Sequence, residues 1–84
     1  MKKNILVIAK NNKVEALRVA VGLVLLSDDV KVDVLDRLEA SPQAQEQLEV
    51  MEFAEVACEI LEDRSTQIDA LARDLIAADA VYVI

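Results

Sequence analysis

The rhythm of apolar positions changes repeatedly along the chain, and each change marks an element. Ile5, Leu6, Val7, Ile8 and Ala9 form an unbroken apolar run that stops at Asn11 and Asn12. A strand covered by helices on both faces has this pattern, so residues 5–9 are expected to be the first and central strand of a parallel sheet. Asn12-Lys13-Val14-Glu15 then has the Asn-x-x-Glu form of a capping box, which starts a helix. Within it Val14, Leu17, Val19, Ala20, Val21, Leu23, Val24, Leu25 and Leu26 leave only Glu15, Arg18 and Gly22 as a thin polar stripe. So narrow a stripe predicts a helix buried over most of its circumference, more than one small sheet can cover. Gly22 costs about 1 kcal/mol against Ala inside a helix, and close packing against a neighbouring element is the expected reason for it.

Ser27-Asp28-Asp29 breaks this helix, and Val30-Lys31-Val32-Asp33-Val34-Leu35 alternates at period two. The alternation predicts a strand with one better-buried face, as found near a sheet edge. Ser41-Pro42 supplies a cap and a first-turn proline for a second helix. Between Pro42 and Arg64 there is no Gly, Pro or Asn, and two readings stay open. Leu48, Met51, Ala54, Cys58 and Leu61 fit one continuous helical stripe; Val56, Cys58 and Ile60 also alternate onto one face of a strand. The strand is favoured because a parallel sheet needs a third strand after the second crossover, and the helix then ends near Phe53 or Ala54. Ser65 is read as the cap of a third helix, with Ile68, Leu71, Ala72, Leu75 and Ile76 at helical spacing and Asp69 paired with Arg73 at i,i+4. Ala80-Val81-Tyr82-Val83-Ile84 is the last strand.

The expected architecture is one α/β domain over residues 1–84, a small three-layer sandwich on a four-stranded, mainly parallel sheet in the order β-α-β-α-β-α-β. An apolar final strand leaves an adhesive edge. Together with the apolar first helix it predicts that the chain forms a homo-oligomer or is covered by a further C-terminal element.

Composition sharpens that expectation. A chain of 84 residues buries only about 60% of its unfolded surface, yet 55% of these residues are apolar, with one Phe, one Tyr and no Trp. The core must be aliphatic, and the apolar excess again favours burial between subunits. A net charge of −7 argues against nucleic acid or an anionic membrane surface as partner. The sign is uneven: residues 1–27 carry +4 and residues 28–84 carry −11, which allows head-to-tail contact between subunits. Lys2-Lys3 is followed by only five apolar residues before Lys10, too few for a signal peptide or a membrane span. A single cysteine, Cys58, excludes an intrachain disulfide and fits a reducing, cytoplasmic setting. Without any histidine, Ser-His-Asp and Cys-His catalysis and His-ligated zinc are excluded.

Open parallel sheets bind ligands at the carboxyl ends of their strands. The groups expected there are Lys10, Asn11 and Asn12 after the first strand, Asp36 and Arg37 after the second, and Glu62, Asp63 and Arg64 after the third. A nucleotide or other small ligand is one occupant of such a site. The only glycine lies inside a helix, so neither a GxGxxG turn nor a Walker loop is present and no cofactor is expected. Asp28, Asp29, Asp33, Asp36, Glu62 and Asp63 show no EF-hand spacing and read as solvated acids, with no metal site. Cys58 has two readings. A reachable thiol can carry a persulfide, whereas a thiol within a strand, beside Glu55, Glu59 and Glu62, fits an inert core residue whose pKa is raised.

Lys3-Asn-Ile-Leu-Val-Ile-Ala, the apolar helix from Ala16 to Leu26, Val30-Lys-Val-Asp-Val-Leu35 and Ala78-Asp-Ala-Val-Tyr-Val-Ile84 together resemble the DsrE/DsrF/DsrH-like domains over half of the chain. The resemblance implies a small α/β sandwich that assembles into oligomers and relays sulfur to a protein partner through a cysteine at the third strand. Cys58, in Val56-Ala-Cys-Glu-Ile60, falls where that cysteine is expected. The function so implied is a persulfide carrier without independent turnover. The alternative is a structural or interaction domain in which Cys58 is core.

Overall fold

A computed structural model describes residues 3–26 and 29–84. Ser27 and Asp28, where the first helix was expected to break, lie outside the described residues, as do Met1 and Lys2. The elements are β1 (Asn4–Ala9), α1 (Lys13–Leu25), β2 (Asp29–Leu35), α2 (Pro42–Phe53), β3 (Ala57–Leu61), α3 (Arg64–Ala77) and β4 (Ala80–Val83). All four strands are parallel, in the spatial order β3-β2-β1-β4. β1 is central: Ile5 stands beside Val30 of β2 on one side and Ala80 of β4 on the other.

This order determines the layers. β1, β2 and β3 advance in one direction, so right-handed crossovers place α1 and α2 on the same face; the return from β3 to β4 places α3 on the opposite face. Ile5, Val7 and Ala9 of β1 and Val30, Val32 and Val34 of β2 form the core with Ala16, Leu17 and Ala20 of α1 and Met51 of α2. The alternate positions Leu6 and Ile8 are buried beneath the other layer. The continuous apolar run of β1 therefore reflects burial on both sides, as its sequence indicates.

Helix starts follow local chemistry. Asn12 Oδ1 accepts from the Glu15 amide at 3.3 Å, and Ser41 Oγ accepts from the Ala44 amide at 3.0 Å, with Pro42 in the first turn. The Glu15 carboxylate pairs with Arg18 instead of closing the capping box. α3 begins two residues earlier than Ser65 implies, because Asp63 is the cap: its Oδ2 accepts from both the amide (3.2 Å) and the hydroxyl (3.3 Å) of Thr66. Nor does Asp69 hold Arg73, whose guanidinium binds Glu59 and Asp74.

The transition from α2 to β3 uses no glycine. Glu55 adopts φ 61, and the Val56 amide reaches back to the Met51 carbonyl at 2.9 Å while the Glu55 amide reaches Glu52 at 3.2 Å. This is the paired six-to-one and five-to-two closure of a Schellman motif, with Met51 and Val56 both in the core as its apolar contact. It settles residues 57–61 as strand.

Two expectations are corrected. β2 is an interior strand, paired with both β1 and β3; its alternation arises because Lys31 and Asp33 lie in a charged seam under α3. Gly22 has no close neighbour: a methyl group added there would meet nothing within 4 Å.

Candidate functional site

Three places hold groups with chemistry. The first is the carboxyl end of the sheet, where Lys10, Asn11, Asn12, Lys13 and Arg37 line an open cleft of about 570 Å³ together with Glu39 and Ser41. Its lining comes from the segments that follow β1 and β2, so it lies on the β2 side of β1, away from the β1/β4 switch point. Of the expected residues, Lys10, Asn11, Asn12 and Arg37 are brought together and Asp36 is not. Asp36 has φ 65 and turns toward α3, where its Oδ1 accepts from Gln67 Nε2 at 2.9 Å. The loop amides that would hold an anion are engaged, since Lys10 N and Asn11 N both donate to the Ile84 main-chain oxygen at 2.8 and 2.9 Å. Lys13 Nζ donates to the Arg37 carbonyl at 2.6 Å. Exposed Lys10 and Asn11 side chains remain, which make a solvated rim.

The second place is Cys58. It lies on the edge strand β3, in register with Val32, and therefore on the α1/α2 side of the sheet. The residue is exposed, which corrects the reading of Cys58 as a core side chain. Partial desolvation of the sulfur is the main cause that pushes its pKa above the ordinary thiol value; the Asp33 charge adds to it and Lys31 opposes. The direction is the one expected from acidic surroundings, but the acid responsible is Asp33, not the sequence-adjacent glutamates.

The third place lies under α3 and was not singled out from the sequence. Asp33 on β2, Glu59 on β3 and Asp74 on α3 bring one carboxylate oxygen each to within 4.8 Å of one another. Lys31 Nζ stands among them, 2.6 Å from Asp74 Oδ2, 3.0 Å from Glu59 Oε1 and 3.5 Å from Asp33 Oδ1. Arg73 closes the outer side, with Nη2 3.0 Å from Glu59 Oε1 and Nε 3.0 Å from Asp74 Oδ1. Asp33 was expected to be a solvated acid; it is 0% exposed, and no donor reaches either of its oxygens in hydrogen-bonding geometry.

The electrostatics follow from that arrangement. Burial, and then the adjacent Asp74 carboxylate, raise Asp33 to about 7, against which Lys31 pulls only in part. Burial works the same way on Asp74, but the bonds from Arg73 and Lys31 outweigh it and hold Asp74 below the usual carboxylate range. The hydrogen bond from Lys31, followed by that from Arg73, lowers Glu59. Burial alone would lower Lys31, but its bonds to Asp74 and Glu59 leave it raised. The sequence does contain a signal for this seam: the parallel register sets Asp33 beside Glu59 on the face that also carries Lys31. Asp74 gives no such signal, since it reads as one more acid in an amphipathic helix.

Fold and site together define a small, four-stranded, all-parallel α/β domain with a partly buried charge cluster beneath α3, the helix that covers one face of the sheet. No family model matches the chain, and comparison with curated proteins and with solved structures gives no significant match. Among the described residues no helix is long and apolar enough to cross a membrane.

Proposed function

We propose that this chain is an association domain of the DsrE-like kind, completed by a second copy of itself. The observation that carries the proposal is how many large apolar side chains the chain leaves exposed. In a parallel sheet with crossover helices, every helix ends at the amino edge of the strands. At those ends Phe53 of α2 is 91% exposed and Ile76 of α3 is 87% exposed, with Leu25 and Leu26 also open at the end of α1. Val81, Tyr82 and Val83 add an exposed edge strand. So many exposed large apolar side chains on a small chain, with Ile60 and Ile68 open as well, are the mark of a protein interface. Gly22, four residues before Leu26 on α1, offers room for a neighbouring helix to approach. Sedimentation velocity at tens of micromolar should show a dimer or larger species, and a stable monomer overturns the proposal.

The exposure of Cys58 favours a second reading, sulfur carriage for a protein partner. The Cys58 thiolate attacks the outer sulfur of a donor cysteine persulfide, whose S–S bond breaks to release the donor thiolate. Incubation with a cysteine desulfurase and cysteine should then add about 32 Da at Cys58. A folded chain that stays unmodified excludes this role, and the association reading stands apart from it.

A further inference from the structure

The geometry points to a divalent-cation site formed by Asp33, Glu59 and Asp74, in which the ion exchanges with the Lys31 ammonium. Two independent observations carry this. The first is convergence: three carboxylate oxygens from β2, β3 and α3 surround one point, the point where Lys31 Nζ now stands. The second is that Asp33, wholly buried and aimed into this cup, has neither oxygen hydrogen-bonded. Buried polar atoms are almost always satisfied, so an orphaned carboxylate facing two others marks a missing partner. The ammonium reaches Asp33 only as an ion pair at 3.5 Å, outside hydrogen-bonding geometry, while it serves Asp74 and Glu59 at shorter range.

An all-oxygen donor set selects hard cations over zinc or copper. Coordination habit selects among them. The three oxygens all lie within 4.8 Å of one another, and calcium accepts such an irregular, partly hydrated set at bonds of about 2.3–2.6 Å. Magnesium demands near-ideal octahedral geometry and gives up its water reluctantly, so it fits this cup less well. Glu59 and Lys31 are partly open to solvent, so water can complete the coordination. Room for the displaced lysine is adjacent: Lys31 and Asp74 line a cavity of about 270 Å³ with Asn4, Asp29 and Ala77 at the amino end of the sheet. Arg73 shares Glu59 Oε1 with Lys31 and holds Asp74 Oδ1, and it keeps α3 docked during the exchange.

The competing account is that Lys31 is the permanent counterion and the cup never takes a metal. Calcium titration of chelator-treated protein by calorimetry, up to about 10 mM to cover weak sites, separates the two. The proposal expects one calcium per chain, magnesium bound more weakly, at least tenfold weaker calcium binding in Asp33→Asn, and at least tenfold tighter binding in Lys31→Gln. Asp33→Asn removes a buried charge without changing shape, and its fold is checked by circular dichroism. A flat titration of the wild-type protein overturns the proposal, and so does unchanged affinity in folded Asp33→Asn or weaker binding in folded Lys31→Gln. Should Lys31→Gln fail to fold, the comparison of wild type with Asp33→Asn decides.

Discussion

Lys31 Nζ donates to Asp74 Oδ2 at 2.6 Å, joining an interior strand to the one helix on that face across 43 residues of sequence. The bond replaces apolar packing with a charged anchor at this point of the α3 layer. Such an anchor is directional, whereas aliphatic contacts are not, and it sets which turn of α3 lies over β2.

Removing the anchor should therefore cost more than removing an exposed charge of the same sign. Lys31→Met in chelator-containing buffer leaves Asp74, Glu59 and Asp33 without their common cation, and a loss of about 2–3 kcal/mol is expected, given that breaking a buried pair costs more than an exposed one. Arg73→Ala, at a side chain 60% exposed, should cost far less. Urea unfolding of the two variants checks the ranking, and equal midpoints would show that the seam contributes nothing specific.

Asp33 gives the fold an unusual dependence on pH. Its folded pKa of about 7 is above the ordinary 3.8, so between these values the folded chain holds a proton that the unfolded chain has lost. Stability from this group is full at low pH and declines as pH rises toward and through 7. Asp74 has the opposite sign: its stabilisation is present above the unfolded pKa and disappears in strong acid. From pH 5 to pH 8 the advantage of Asp33→Asn over the wild type should grow by on the order of 2 kcal/mol, or roughly 10 °C in Tm for a domain of this size. Melting curves with chelator across that interval test it; an Asp33→Asn advantage that does not grow with pH would show that the buried carboxylate is not the titrating group.

What could be read from the sequence was whatever depends on neighbours along the chain. The run from Ile5 to Ala9, the caps at Asn12 and Ser41, and the aliphatic pattern of α3 are local signals, and the order of elements in the structure follows them. Partners brought together by the sheet were harder to read. The alternation of β2 is the same whether its charged face meets water or a helix, so Lys31 and Asp33 suggested an edge strand when β2 is interior. Cys58 looked enclosed because its neighbours alternate, yet β3 is the outermost strand and leaves it exposed. Lys10, Asn11, Asn12 and Arg37 line one cleft at the carboxyl end of the sheet, where the general rule for parallel sheets puts them, while Asp36 turns away through its own positive φ.

Glu55 is the position where local sequence and local backbone disagree. A non-glycine residue in the left-handed region costs about 1–2 kcal/mol, and Glu55 accepts φ 61 to close α2 and release β3. Its side chain is exposed. Glu55→Gly should therefore stabilise the domain by about 0.5–1 kcal/mol after the added freedom of the unfolded chain is subtracted. Chemical denaturation gives the value directly, and a destabilised variant would mean that the Glu55 side chain contributes more than its backbone strain.

Gly22 separates the isolated chain from its assembly. Within one chain it is exposed in the last turn of α1, with nothing within 4 Å of an added methyl. Alanine there should raise monomer stability by about 0.5–1 kcal/mol through helix propensity alone. A second copy packed on this part of α1 would use the absence of that methyl, so the same substitution should weaken association. Unfolding under dilute conditions and sedimentation at higher concentration read the two effects separately. Lower stability in the dilute measurement contradicts the open surroundings of Gly22. Unchanged association moves the interface away from this stretch of α1 and toward Phe53, Ile76 and the β4 edge.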